Sequence, residues 1–219
     1  MVKNFVLIGF SCTGKTSLGR SVFQDASIID SDDEILKCIE RATQMQYSHI
    51  YQVFMGNGRD EAIRLIEQAE EALIAEWAND RVPRIISLGP GFPFRSGWQR
   101  LRAVSDVVLF RRSAQMIYDS LKERRDVLFT QCPEAKLHDN WDVGVMVDEQ
   151  RTEYPPQVAV SNISGVLAER EHYYRDNDAE VNTDDWRQAK IKLRDIWNMF
   201  AAEPSAVADT ARRFVSGSE

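Results

Sequence analysis

Residues 2–10 turn wholly apolar from Phe5 to Ile8 and stop at Gly9, the pattern of a strand buried on both faces. Residues 16–23 then read as a helix, 26–30 as a second short strand and 33–43 as a second helix. Across 59–79, Ala62, Ile63, Ile66, Ala69, Leu73 and Trp77 recur at three- and four-residue steps, which predicts one long amphipathic helix. Residues 83–88 form a third strand closed by Gly89-Pro90-Gly91, residues 106–110 a fourth, and 113–125 a following helix. Between 129 and 160 no period is sustained, and a stretch of that length inside a domain points to a lid or insertion. Regular patterning returns as a helix over 164–174, a last strand over 179–182 and a helix over 186–200. Residues 204–214 add a short terminal helix.

Strands alternating with helices predict an α/β fold, three layers deep, around a central, mostly parallel five-stranded sheet. The economical organisation is one domain over 1–200, with a lid or insertion around 111–164 and a helical extension or tail over 201–219.

The 219 residues carry 27 Lys and Arg against 34 Asp and Glu, a net charge of −7 with a pI near 5.1. That balance argues against a nucleic-acid partner or an anionic membrane surface, both of which attract basic patches. Cys12, Cys38 and Cys132, like His49, His138 and His172, are scattered, so neither metal-ligand spacing nor a disulfide framework is present. The run Phe5 to Phe10 is far too short to span a bilayer, and no signal-peptide cleavage pattern follows it. The expectation is a soluble, monomeric, cytoplasmic protein.

Gly9-Phe10-Ser11-Cys12-Thr13-Gly14-Lys15-Thr16 fits G-x-x-x-x-G-K-[ST], the phosphate loop, with the required strand before it and helix after it. Gly9 and Gly14 permit the tight turn, so that N–H groups from Ser11 through Ser17 can face phosphates at a helix N-terminus. Cys12 serves as a small filler. Lys15 supplies a mobile positive charge and the Thr16 hydroxyl a magnesium ligand. A bound nucleoside triphosphate follows from this motif. Asp30-Ser31-Asp32 closes the second strand, where open parallel sheets place their ligands. One carboxylate there could anchor a magnesium-bound water and the other orient an attacking hydroxyl.

The phosphate loop followed by Ser17-Leu18-Gly19-Arg20, with Ile29-Asp30-Ser31-Asp32-Asp33-Glu34-Ile35 after it, resembles shikimate kinase. Further matches keep their order. Ile50 to Phe54, then Gly58 and Ile63-Arg64 to Glu67, is similar to that family's I-x-x-I-F…G-E-x-x-F-R-x-x-E. Residues 85–91 are close to its glycine triplet after the third strand. Arg125-Asp126-Val127-Leu128 is a degraded form of its lid motif R-P-L-L, and the segment from Leu167 through Arg170 to Tyr174 resembles its L-x-x-x-R-x-x-x-Y helix.

This resemblance implies a kinase that uses ATP and Mg2+ to phosphorylate a small hydroxylated acid, shikimate, in aromatic amino acid biosynthesis. It implies that Asp32 holds the acceptor hydroxyl and Asp30 supports the metal through water. Arg64 and Arg170 would clamp the acceptor carboxylate, backbone at Gly89 and Gly91 would meet ring hydroxyls, and Arg125 would close with the lid onto the transferring phosphate. A guanidinium pairs a carboxylate in two-pronged fashion, so these residue types suit those roles.

Departures from the pattern concentrate at the acceptor end. Placing Arg64 on the family arginine needs one extra residue after Gly58. Arg59 replaces an acidic neighbour, Pro90 interrupts the glycine triplet and removes an N–H, and Asp126 replaces the lid proline. Another hydroxylated acid or sugar, gluconate-like, is therefore an alternative acceptor. A nucleotide-binding regulatory protein without phosphotransfer, using 129–160 for interaction, is an alternative of a different class. Arg64 among Glu61, Glu67 and Glu71 also fits an exposed helical ion pair, and Arg124 and Arg125 fit cations at a helix C-terminus.

Overall fold

The apolar run near the start becomes strand β1 (Asn4–Gly9), buried at every position. Its side chains alternate between two cores. Val6 and Ile8 join Ile35, Leu73 and Trp77 on one face of the sheet, while Phe5 and Leu7 join Leu18, Leu193 and Ile196 on the other. That alternation makes three layers: a strand apolar on both sides needs helices on both sides.

The computed structural model describes residues 3–24, 26–131, 146 and 153–202; the side chains of 125–131 and 202 lie outside the described residues. Besides β1, the sheet contains β2 (Ile28–Asp30), β3 (Ile85–Ser87), β4 (Ser105–Arg111) and β5 (Ala179–Asn182). The order is β2-β3-β1-β4-β5, and every pairing is parallel. All five C-terminal ends therefore lie on one edge. The helices are α1 (Lys15–Val22), α2 (Ser31–Thr43), α3 (Ile50–Asn57), α4 (Arg59–Asn79), α5 (Trp98–Ala103), α6 (Ala114–Gln131), α7 (Pro156–Tyr174) and α8 (Trp186–Ala202).

The three-layer parallel architecture agrees with the sequence expectation; the differences are local. Residues 50–57 and 98–103 are helices that the hydrophobic pattern does not announce. Both are too short to display a repeating stripe, and α3 starts where His49 Nδ1 accepts from the Tyr51 N–H at 3.2 Å. Helix α7 begins at Pro156 instead of residue 164, because proline's fixed φ suits a first helical turn. Helix α6 continues past residue 125 to Gln131. Most of the expected irregular region 129–160 and the expected terminal helix 204–214 lie outside the described residues. Among the described residues, no helix is long and apolar enough to cross a membrane.

Trp77 is 1% exposed and lies nearly parallel to Phe92, ring centroids 5.8 Å apart, joining α4 to the turn after β3. Trp77→Ala should cost about 3–5 kcal/mol in urea unfolding. A loss below about 1 kcal/mol would mean that this core closes over the missing ring.

Candidate functional site

The loop between β1 and α1 is held from outside as well as by its own turn. Gly9 has φ +143°, and a Cβ there would sit 2.5 Å from the Phe110 carbonyl oxygen, so only glycine fits. Cys12 takes the left-handed region at φ 60°, and its carbonyl accepts from Arg112 Nη1 at 2.7 Å. That bond is made by the backbone, while the Cys12 side chain packs against the cluster of Phe10, Ile117 and Leu121. The Thr13 carbonyl accepts from Thr183 Oγ1 at 2.8 Å. Arg112 and Thr183 follow the ends of β4 and β5, and no short-range sequence signal marks either as a partner of the loop. Lys15 is buried, its Nζ donating to the Gly9 and Phe10 carbonyls at 3.1 and 2.9 Å. No side chain caps α1, which leaves its first N–H groups directed at the loop.

Asp30 does two jobs. One carboxylate oxygen accepts from the Asp32 N–H at 3.1 Å and starts α2; the other accepts from the Thr16 hydroxyl at 2.9 Å. Thr16 Oγ1 is also 2.8 Å from Ser87 Oγ at the end of β3. Next in line, the fully buried Ser31 accepts from the Gly89 N–H at 2.7 Å. That bond commits the Gly89 N–H to the scaffold and away from any acceptor hydroxyl.

Two cavities open at this edge. One, about 350 Å³, is lined by the loop, with Ser11, Cys12, Gly14, Lys15, Thr16 and Ser17, and by Asp30 and Ser87. The other, about 400 Å³, lies between α2, α3 and α4 and the turn after β3. They share Ser11, Asp32, Gly89, Pro90 and Arg124. A phosphate donor in the first cavity and an acceptor in the second would meet at Asp32. The Thr16 hydroxyl and the Asp30 carboxylate are hard oxygen donors in contact with each other, a donor set that fits Mg2+.

Of the residues expected to line the acceptor cavity, Asp32, Gly89, Gly91 and Arg170 do so. The Arg170 guanidinium lies 5.5 Å from the Phe10 ring centroid and 5.0 Å from that of Phe94, within cation–π range of both. Arg64 does not reach the cavity. It is half exposed, paired with Glu61 through both Nε and Nη2, and bonded to Gln68 at 3.0 Å. The face of α4 toward the cavity carries Arg59, Ile63, Ile66, Glu67 and Glu70. Counted from Gly58 without a gap, the family arginine and second glutamate fall on Ile63 and Ile66. Both of these positions face the cavity, whereas of the gapped pair Arg64 and Glu67 only Glu67 does. The Arg125 side chain lies outside the described residues, whereas its neighbour Arg124 lines both cavities.

A charged cluster that the sequence did not signal closes the cavity. Arg95, in the turn after β3, donates to Glu70 Oε2 at 2.5 Å and Glu67 Oε1 at 2.8 Å. Glu70 is 4% exposed. Burial above all raises its carboxyl, the Arg95 cation and hydrogen bond oppose this, and the charges on Asp32 and Glu67 add to it, leaving it pushed up to about 7. His49, on the same cavity, is held below the usual imidazole range by burial and by the Arg124 charge.

No family model matches the chain. It is 34% identical over 140 residues to the shikimate kinase of Thermodesulfovibrio yellowstonii, covering 62% of this chain and 75% of that protein. Identity to the shikimate kinase of Thermoanaerobacter pseudethanolicus is 30% over 141 residues, with the same coverage. Among solved structures, the shikimate kinase from Acinetobacter baumannii in complex with shikimate matches at TM-score 0.62 and 17% identity, over 94% of this chain and 97% of that one. Shikimate kinase from Bacteroides thetaiotaomicron matches at TM-score 0.59 and 17% identity, over 90% and 99%. At that identity the structural likeness establishes the fold.

The Glu70 carboxyl predicts a sign for stability against pH. Its folded value lies above the ordinary 4.5, so the folded state binds this proton more tightly than the unfolded state. The resulting stabilisation is complete below pH 4.5 and lost as pH rises through about 7, a cost of about 3 kcal/mol. Urea unfolding at pH 5 and pH 8 should show the wild type losing about 2–3 kcal/mol more than Glu70→Gln over that interval. Equal losses would place this carboxyl near its ordinary value.

Proposed function

The chain belongs to the shikimate kinase family, as a divergent member, and we propose that it transfers the γ-phosphoryl group of ATP to a hydroxyl of shikimate. The observation that carries this reading is the meeting of two cavities at Asp32, one lined by the phosphate loop and the other by Arg170.

In this reading Lys15 exchanges the Gly9 and Phe10 carbonyls for phosphate oxygens, and the loop N–H groups hold the remaining phosphate charge. Thr16 and, through water, Asp30 would hold Mg2+, which would supply positive charge against the phosphates. Asp32 orients the acceptor hydroxyl, a positioning role that needs no strong base. Arg170 pairs with the acceptor carboxylate from α7. Arg124, on both cavities, stands where an arginine can balance charge on the transferring group.

One observation favours a second acceptor class. In the ungapped register Ile63 and Ile66 occupy the α4 positions at which the family pattern has arginine and glutamate, so part of this wall is apolar, between Arg59 and the Glu67–Glu70 pair. A different hydroxylated acid or sugar suits such a wall better than one requiring two carboxylate clamps.

The test is ADP release with Mg2+ and ATP, with and without shikimate. A shikimate-dependent rate is expected, lowered in Lys15→Met by about two to three orders of magnitude. Nucleotide binding without any shikimate-dependent ADP would move the assignment to another acceptor. Within a shikimate-dependent reaction, Arg170→Ala should raise the shikimate KM by about tenfold or more while leaving that of ATP unchanged. Arg64→Ala should stay within about twofold on both, since an exposed ion pair contributes little. A large effect at Arg64 with none at Arg170 would reverse that assignment.

A further inference from the structure

The family-like parts of the acceptor cavity do not account for one feature, a buried carboxylate with its own cation, set into the cavity wall. Arg95 bridges the turn after β3 to α4 by bonding to both Glu67 and Glu70. Two carboxylates already balance this guanidinium, so an acceptor anion gains little there. Glu70 differs from its neighbours. Its side chain is 5% exposed against 47% for Glu67, yet it still lines the cavity. Arg95 occupies Oε2. Oε1 packs against Gly91, where a Cβ would sit only 2.5 Å away, so only glycine lets the turn that borders the cavity lie this close to the carboxylate.

We propose that Glu70, positioned by Arg95, is an acceptor-binding residue whose Oε1 accepts a hydrogen bond from an acceptor hydroxyl. Recognition in this chain has moved along α4: the apolar Ile63 and Ile66 stand where the family pattern places a charged pair, and one turn further on Glu70 reads a neutral donor. The acceptor class is a hydroxylated monoanion, with its anionic group toward Arg170, an apolar edge on Ile63 and Ile66, and a hydroxyl at Glu70. This rests on the acceptor-kinase reading of the same site.

A carboxylate is a stronger acceptor when ionised, and this one titrates near neutrality. The charges acting on it are those of Arg95 from the turn, Asp32 from α2 and Glu67 on its own helix, and the same cavity is lined by His49 before α3, Arg59 on α4, Arg124 on α6 and Arg170 on α7. Acceptor kcat/KM should therefore climb as pH passes through about 7.

The experiment measures ADP release with shikimate as probe in wild type, Glu70→Gln, Arg95→Gln and Gly91→Ala, from pH 6 to 8.5. Glu70→Gln is expected to raise the shikimate KM by about tenfold, leave the ATP KM unchanged and flatten the rise near pH 7. Arg95→Gln should move that rise to higher pH, because losing the cation disfavours the carboxylate; a purely structural pair would not shift the profile this way. Gly91→Ala, which pushes on Oε1 without touching the charge, should raise the shikimate KM alone, and it decides the matter should Glu70→Gln fail to fold. A shikimate KM unchanged in both Glu70→Gln and Gly91→Ala, or rising in step with that of ATP, overturns the role of Glu70 while the kinase reading stands. No shikimate-dependent turnover in the wild type removes shikimate as acceptor and this assignment with it.

Discussion

The hydroxyl of Thr16 stands 2.9 Å from Asp30 Oδ2 and 2.8 Å from Ser87 Oγ, so one side chain of the phosphate loop draws the ends of β2 and β3 toward the end of β1. Much of the candidate site depends on that contact. Asp30, held by one oxygen, uses the other to start α2, which sends Asp32 toward the junction of the two cavities. Ser31, between them, fixes the turn after β3 through the Gly89 N–H. The loop, the Asp-Ser-Asp turn and the glycine turn are thus one hydrogen-bonded unit in which each side chain has a scaffold role beside any chemical one. Asp30 caps a helix with one carboxylate oxygen and accepts from Thr16 with the other.

Helical geometry decides what α4 contributes. One residue along a helix is a rotation of about 100°, enough to carry Arg64 from the cavity to solvent and put Ile63 in its place. Arg64 then satisfies its charge with Glu61 and Gln68 on its own helix. The cleft is lined by other arginines, Arg59 at the start of α4, Arg170 near the Phe10 and Phe94 rings and Arg124 at the border with the phosphate cavity. Charge at the acceptor end has been redistributed, while the phosphate end follows its motif residue for residue.

Helix α4 also sets a nearly buried carboxyl, Glu70, into the cavity wall. Glu70 is tolerated because Arg95 donates to it and to Glu67 at once, and a buried acid of this kind adjusts its proton affinity in preference to bearing an uncompensated charge. Phe92 and Trp77, stacked just behind, brace the turn that carries Arg95.

The sequence by itself determined the layered parallel sheet, since an unbroken apolar strand such as Phe5 to Ile8 and a striped helix such as Arg59–Asn79 each permit few arrangements. It also determined the phosphate loop, whose motif residues all fall within eight consecutive positions. Contacts across the chain were decided only by tertiary structure: Arg112 and Thr183 on the loop, Ser31 on Gly89, and Arg95 on Glu70 lie 25 to 170 positions from their partners. The register of α4 belongs there too. A motif match that allows a gap can slide an arginine by one residue, but a packed helix cannot, because its buried face at Ala62, Leu65, Ala69 and Leu73 fixes which side the next residue takes.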